Sequence, residues 1–473
     1  MVKERKRKIY SDVTQGDVGL SLWRLSLPSM AGAIFLNLFS LVDLFFIGRL
    51  GYVAVAALSI SGVILAIIIM VGLGLSTGTT ALIAHYIGKK DYDAADNVLF
   101  QTILLSVVCS IAMLLLALFA TEPILRLFGA TKEVIDPASR YLKISFSFSI
   151  FIFLFLALNH ALRGSGEAIV PLKMLAVANI LNIVLDPLFI FGFWIVPKLG
   201  VAGSAVATVI SRAVGVALLL RHLFAGKSSL HLHRGMFKVN LPIMGRVIRI
   251  GFFSSLEVLF RQISLLLLIR LIASFGIVTL AAYGIVLRVR MLIIMLGFGM
   301  AGATAVLIGQ NMGANLSQRA EESGWKALRY YEAMVLPAAL ALFLFAPNIV
   351  KFFNNQPEVI NTAATFIRVT AFTLPFLAMA VILGRGIAGA GDTVAPAWVA
   401  GIVQLGVRIP AAYILALTAG LGTIGIWLAF GLSDLLQGAI MVSYFKSGKW
   451  QARHHRHREI LESDGFILGG GAG

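Results

Sequence analysis

Residues 103–120 run for eighteen positions without one charged side chain, and 145–158 run for fourteen. At 1.5 Å per residue, eighteen helical residues span about 27 Å, close to the roughly 30 Å hydrocarbon core of a bilayer. The composition agrees with chains that live in lipid. Charged residues make up 13% of the sequence and hydrophobic ones 59%, with a mean hydropathy of +0.91. A soluble domain carries about 25% charged residues, and this chain could not cover a water-facing surface.

Reading the apolar runs against Gly, Pro and charge breaks predicts twelve spans. Six cover about 21–47, 53–84, 98–120, 138–162, 170–193 and 201–224; six more cover 243–275, 280–310, 328–346, 359–384, 394–419 and 422–445. The expected fold is an all-α polytopic membrane protein with twelve transmembrane helices in two pseudo-symmetric six-helix lobes. The expected division is a basic arm at 1–20, a first lobe at 21–224, a connecting loop at 225–242, a second lobe at 243–445 and a polar tail at 446–473.

The net charge of +17 does not point to nucleic acid, because the basic residues sit in short connections beside apolar spans. Placing both termini in the cytoplasm puts Lys3, Arg5, Lys6, Arg7, Lys8, Lys89, Lys90, Arg163, Lys227, Arg234, Lys238, Arg319, Lys326 and Arg385 on the inner side. Few basic residues then remain outside, the positive-inside pattern of a plasma-membrane protein. The arm leads to no short apolar stretch with a small-residue cleavage site, so it reads as retained. His454, His455 and His457 belong to a solvated tail rather than a metal site. The single cysteine, Cys109, lies inside a span and supports neither a disulfide framework nor a thiolate metal site.

The two halves match at one fixed offset. A shift of 225 places Gly51 on Gly276, Ala56-Ala57 on Ala281-Ala282, Gly88 on Gly313, and the segment from Gly166 to Pro171 on that from Gly391 to Pro396. A shift of 222 lays Leu199-Gly200 and Gly203 on Leu421-Gly422 and Gly425. Six spans per half is an even number, so the repeats are parallel, the plan of transporters that bind cargo between halves and alternate access.

Acids inside apolar spans cost about 2.5–3.5 kcal/mol each on insertion scales and call for a partner or a purpose. Asp43 in span one and Asp186 in span five both fall roughly 25–30 Å along their helices from the cytoplasmic end. Two carboxylates at one depth in one lobe can share a cation. Asn179, Asn182 and Asp186 are spaced i, i+3, i+7 on one face; Ser40 precedes Asp43 by a turn; Ser204 and Thr208 return on span six to a similar depth; Tyr141 opens span four. Asn37 is a lesser candidate on span one. Pro187 cannot donate to the carbonyl of Ile183, which leaves another acceptor beside Asp186. Such hard oxygen ligands suit a proton network or Na⁺. No arginine in the first half's spans is assigned to the two acids. In the second half the fixed offset puts Leu268 and Ala411 at their places. Glu257 and Arg261, spaced i, i+4, are a neutralising pair or a second coupling site. Arg288, Arg290 and Arg408 also lie in spans, and Arg408 is open to an acid partner, an anionic substrate group or snorkelling.

Five segments carry a family likeness. These are Leu41-Val42-Asp43-Leu44-Phe45-Phe46-Ile47-Gly48-Arg49-Leu50-Gly51, the paired Gly-rich loops around Gly166-Glu167 and Gly391-Asp392, and Asn182-Ile183-Val184-Leu185-Asp186-Pro187 with Gly203-Ser204-Ala205-Val206-Ala207-Thr208. In these the chain resembles the multidrug and toxic compound extrusion (MATE) family, most closely its DinF-type branch, over about residues 17–445. The resemblance implies an antiporter, not an enzyme, that exports small amphipathic and often cationic compounds against inward H⁺ or Na⁺; no cofactor is expected, and the expected partners are these compounds and the lipid bilayer, with the chain a monomer. It also implies that Asp43 and Asp186 are the coupling carboxylates, with Asn182 and Thr208 completing their shell and Tyr141 near it. Pro28 and Pro187 are the expected bending points. The alternative is a lipid-linked oligosaccharide flippase of the same superfamily, which would use Arg261, Arg288 and Arg408 to hold pyrophosphate. Gly226-Lys227-Ser228 lacks the leading glycine of a phosphate loop, and His85, His160 and His222 read as polar span-end histidines without matching partners.

Overall fold

The computed structural model describes residues 13–193, 196–232 and 238–453, and the side chains of residues 36–41 fall outside that description. Residues 1–12 of the basic arm, Arg234, and His454, His455 and His457 therefore lie outside the described residues, as do the side chains of Asn37, Phe39 and Ser40.

Among the described residues the chain is helical, with one isolated bridge between Phe193 and Val196 in a connecting hairpin. The first six spans are α1 (Val18–Gly48), α2 (Tyr52–Gly88), α3 (Tyr92–Phe119), α4 (Lys132–Ser147 continued by Ser149–Gly164), α5 (Ile169–Phe191) and α6 (Val201–Phe224). The second six are α7 (Leu241–Ser274), α8 (Ile277–Gly313), α9 (Ser317–Leu344), α10 (Pro357–Gly389), α11 (Val394–Thr418) and α12 (Gly422–Lys446). Two short helices, Thr121–Leu127 and Ala346–Lys351, link α3 to α4 and α9 to α10.

Ten of the described helices are long and apolar enough to cross a bilayer, and α4 makes eleven when its two parts count as one. The twelfth, α7, is 34 residues long and carries Arg246, Arg249, Glu257, Arg261 and Arg270 along its length. Two spans expected to be regular are not. α4 bends by 53° at Phe148, whose φ of −105° and ψ of 19° leave the helical basin. Ser145, Ser147 and Ser149 flank the bend, and serines there compete for backbone hydrogen bonds. In α11, π-helical turns at Ile402–Arg408 and Ile414–Thr418 flank Pro410. A proline removes one helical donor and crowds the preceding turn, and wider turns relieve that clash.

The repeat is visible in the backbone. Gly166 and Gly391 take φ of 92° and 91°, a region that glycine enters without strain, and Lys90 and Asn315 take 61° and 60°. A methyl group on Gly164 would press on the backbone of Thr80, and one on Gly389 would run into Ala305, the same contact at the same 225-residue shift.

The described chain forms two compact units. The first takes residues 27–252 and the second residues 13–26 with 253 onward, so the opening turns of α1 pack in the second unit and those of α7 in the first. In the first unit Val247 is fully buried in one hydrophobic core with Leu99, Leu158, Leu162 and Leu219, while Ile47, Leu125, Leu142, Phe146 and Ile190 form another. In the second unit Arg319 donates to the carbonyls of Gln15 and Gly16 at 3.0 and 2.9 Å. Asp17 caps α1 there by accepting from the amide of Leu20 at 2.8 Å. That amide holds the Asp17 carboxyl below its ordinary value; the cap is therefore complete above the usual aspartate range and is lost as pH falls through the lowered value.

The Gly-rich loops each carry a buried acid that ties down the end of the last span of its half and the segment after it. Glu167 accepts from the hydroxyl of Ser228 at 2.6 Å and the amide of Ser229 at 2.9 Å, and pairs with His222 Nε2 at 3.1 Å. Asp392, 225 residues on, accepts from Tyr444 Oη at 2.6 Å and pairs with Arg453 at 3.3 Å. His222 therefore has a partner, contrary to expectation, because the loop brings Glu167 to it. Lys227 is exposed beside the buried Ser228–Leu230 stretch. Glu167→Ala should free this stretch and raise the rate of tryptic cleavage after Lys227 by about tenfold or more, measured on purified protein. An unchanged rate would mean that the carboxylate does not hold the loop.

Candidate functional site

The face predicted for α5 turns inward. Asn179, Asn182 and Asp186 are buried, while Ile180 and Val184 on the opposite side are about 60% exposed (61% and 60%). Asp186 and Asn182 are fully buried, and Asp43 on α1 keeps 7% exposure. Asn182 Nδ2 donates to Asp186 Oδ1 at 3.3 Å. The carboxyls of Asp43 and Asp186 lie within side-chain hydrogen-bonding range of each other. Tyr141 on α4, buried at 6% exposure, is within electrostatic reach of both. The sequence pattern thus brought together Asp43, Asp186, Asn182 and Tyr141.

Other candidates fall differently. Asn179 spends its amide on the carbonyl of Phe35 at 2.8 Å, fastening α5 to α1. Ser204, Thr208 and Arg212 follow one another at i, i+4, i+8 on α6, so they share a strip. The expectation that no arginine attends the two acids is corrected here: Arg212 lies within electrostatic reach of Asp43. Its guanidinium sits 5.0 Å above the ring of Phe155, a face that favours a cation. The signal was present in the sequence, one turn beyond Thr208.

The unmatched atoms decide what this cluster can hold. Asp43 Oδ1, Asp186 Oδ2, Asn182 Oδ1, Ser204 Oγ and Thr208 Oγ1 are buried without a hydrogen-bond partner among the described residues. The first three can only accept. Two carboxylates against one guanidinium leave a single negative charge, and a buried unpaired charge is costly. One proton between the carboxyls would cancel the charge, and one Na⁺ among these oxygens would satisfy both the charge and the acceptors. No group of three or more His, Cys, Asp or Glu side chains is gathered for a metal among the described residues, so a cation here relies on amide and hydroxyl oxygens as well.

In the second unit Glu257 and Arg261 form the i, i+4 pair that the sequence allowed, at 3.0 Å. Arg408 meets an acid that sequence reasoning missed. Its Nη2 donates to Asp434 Oδ1 at 3.0 Å and its Nε to Ser433 Oγ at 2.6 Å, while Arg290 Nη2 donates to Asp434 Oδ2 at 2.9 Å. Asp434 is fully buried on α12. The 222-residue shift of the Gly203 and Gly425 match lays it on Arg212, which would have flagged it.

Comparison with known proteins adds the family. The MatE family model matches residues 28–188 and 254–414, one match in each half. The chain is 24% identical over 453 residues to a "Probable multidrug resistance protein NorM" of Thermotoga maritima, covering 95% of this chain and 97% of that one. It is 27% identical over 446 residues to a "Probable multidrug resistance protein YoeA" of Bacillus subtilis, covering 92% and 96%. Among solved structures, one described as the outward-facing conformation of a multidrug resistance MATE family transporter superposes with a TM-score of 0.87 at 24% identity, covering 96% of this chain and all of that one.

Proposed function

The chain belongs to the MatE family of membrane transporters, and from that premise we propose that it is an antiporter that exports small amphipathic, often cationic compounds in exchange for H⁺ or Na⁺. The observation that carries this reading is the buried Asp43–Asp186 contact with its unmatched acceptor oxygens. Binding one cation there discharges the cluster and removes the reason for the acids to stay near Arg212; releasing it restores the charge. Pro28 and Pro187 lie inside α1 and α5, the helices that carry the two acids, and give those helices places to bend. Differential stabilisation of two helix arrangements by one ion is what coupling requires. The multidrug resistance names of the two relatives support the substrate class. We place the protein in the plasma membrane with both termini in the cytoplasm, on the distribution of its basic residues.

The flippase alternative loses support from the same geometry. Of its three arginines, Arg261 is bonded to Glu257 and Arg408 to Asp434, and Arg288 is exposed. The test is efflux of a fluorescent organic cation from energised cells under an imposed pH or Na⁺ gradient. Transport that follows either gradient supports exchange; accumulation of lipid-linked sugar in a deletion strain without drug sensitivity would favour the flippase. Within the exchange reading, Arg212→Gln removes a competing positive charge. The cation concentration for half-maximal transport should fall roughly tenfold, the equivalent of about 1.4 kcal/mol. A rise would assign Arg212 another role.

A further inference from the structure

The second unit carries the first unit's charge plan with its sign reversed. Arg212 and Asp434 stand at matching positions on the last span of each half, at the 222-residue shift. The register holds in space, since Gly203 packs on the backbone of Phe189 and Ile190, and Gly425 on that of Leu415 and Ala416. Arg212 lies within electrostatic reach of Asp43, which in turn meets Asp186; Asp434 is held by two arginines. The first cluster sums to one negative charge, the second to one positive charge, and the neighbouring Glu257–Arg261 pair is balanced within itself.

The unmatched atoms reverse as well. In the second cluster Arg290 Nη1 and Tyr283 Oη are buried without a partner among the described residues, on side chains that are 7% and 3% exposed. These are groups that donate, where the first cluster has unmatched acceptors. Gln404 Oε1 is also unmatched, a turn before Arg408. Tyr283 and Arg290 lie two turns apart on α8, and Tyr283 is within electrostatic reach of both Arg290 and Arg408. Phe430 lies under the Arg408 guanidinium at 4.7 Å and against the Tyr283 ring at 6.1 Å. A water molecule would satisfy the donors and leave the charge; a monovalent anion satisfies both.

We infer that the second unit contains a binding site for one monovalent anion, a halide or an organic carboxylate, whose donors are Arg290 Nη1 and Tyr283 Oη. Radiolabelled chloride binding to the purified full-length protein in nanodiscs tests it, with octanoate as competitor. The expected result is saturable binding near one ion per chain. Arg290→Gln should abolish it while leaving Asp434 a one-to-one partner in Arg408, so the variant should still fold. Tyr283→Phe keeps the ring packing and should weaken binding by about tenfold. Displacement of chloride by octanoate at low concentration assigns the site to carboxylates; binding of chloride that octanoate does not displace assigns it to halides. If neither anion binds saturably, or if both variants bind as the parent does, the site does not exist.

Discussion

Vesicles carrying Asp186→Asn will lose gradient-driven export of an organic cation, to about 1% of the parent rate or less. The asparagine keeps the shape of the side chain and its place beside Asn182, so the helix face that buries Asp186 is undisturbed. What disappears is one of the two charges that make the cluster hold a cation. With Asp43 opposed by Arg212, the remaining cluster is already neutral, and binding a further cation would create a buried positive charge. Breaking a buried ionic arrangement of this kind costs about 3–5 kcal/mol, which corresponds to more than a hundredfold in an equilibrium constant. Asp43→Asn should behave alike, and uptake of the compound down its own gradient should persist in both. Parent-level export by either variant, at matched amounts in the membrane, would remove that acid from the coupling step.

Asp434→Asn should be the most destabilising single polar substitution in the second unit. Asp434 is fully buried and accepts from Arg290 and Arg408 on its two oxygens. The amide would leave two guanidinium groups side by side without a counter-charge. Losing one partner of a buried charge cluster costs about 3–5 kcal/mol, enough to be read as a large drop in the thermal unfolding midpoint in detergent. Neutralising both arginines together with the acid should restore most of the loss, since well-packed apolar groups can replace a buried ionic cluster at little cost. A full-stability Asp434→Asn single variant would show that the arginines find other acceptors.

Much of the fold could be read from the chain because lipid imposes a simple rule: apolar runs of membrane length become helices, and a fixed 225-residue shift makes the second half a copy of the first. The departures are local. The bend at Phe148 depends on how three serines and a bulky ring settle in one turn, and the wide turns around Pro410 depend on how α11 relieves the missing donor. Neither alters hydropathy. The acid pair was legible because charges are rare in such spans and because Asn182 and Asp186 share a face. Arg212 and Asp434 were passed over for the same reason in reverse: each looks ordinary alone, and only the inter-half match at a shift of 222 reveals them as counterparts. Glu167 and Asp392 read as parts of Gly-rich loops, since their partners lie 52 to 62 residues away in sequence, beyond any local pattern.

Sealed liposomes containing the purified protein, loaded with an organic cation and diluted into medium without it, measure coupling in reverse. If the paired carboxyls of α1 and α5 exchange one ion for cargo, the outward cargo gradient will drive H⁺ or Na⁺ uphill into the lumen, and Asp43→Asn or Asp186→Asn liposomes will show cargo leaving with no ion entering. Undiminished ion entry in both variants would contradict the account.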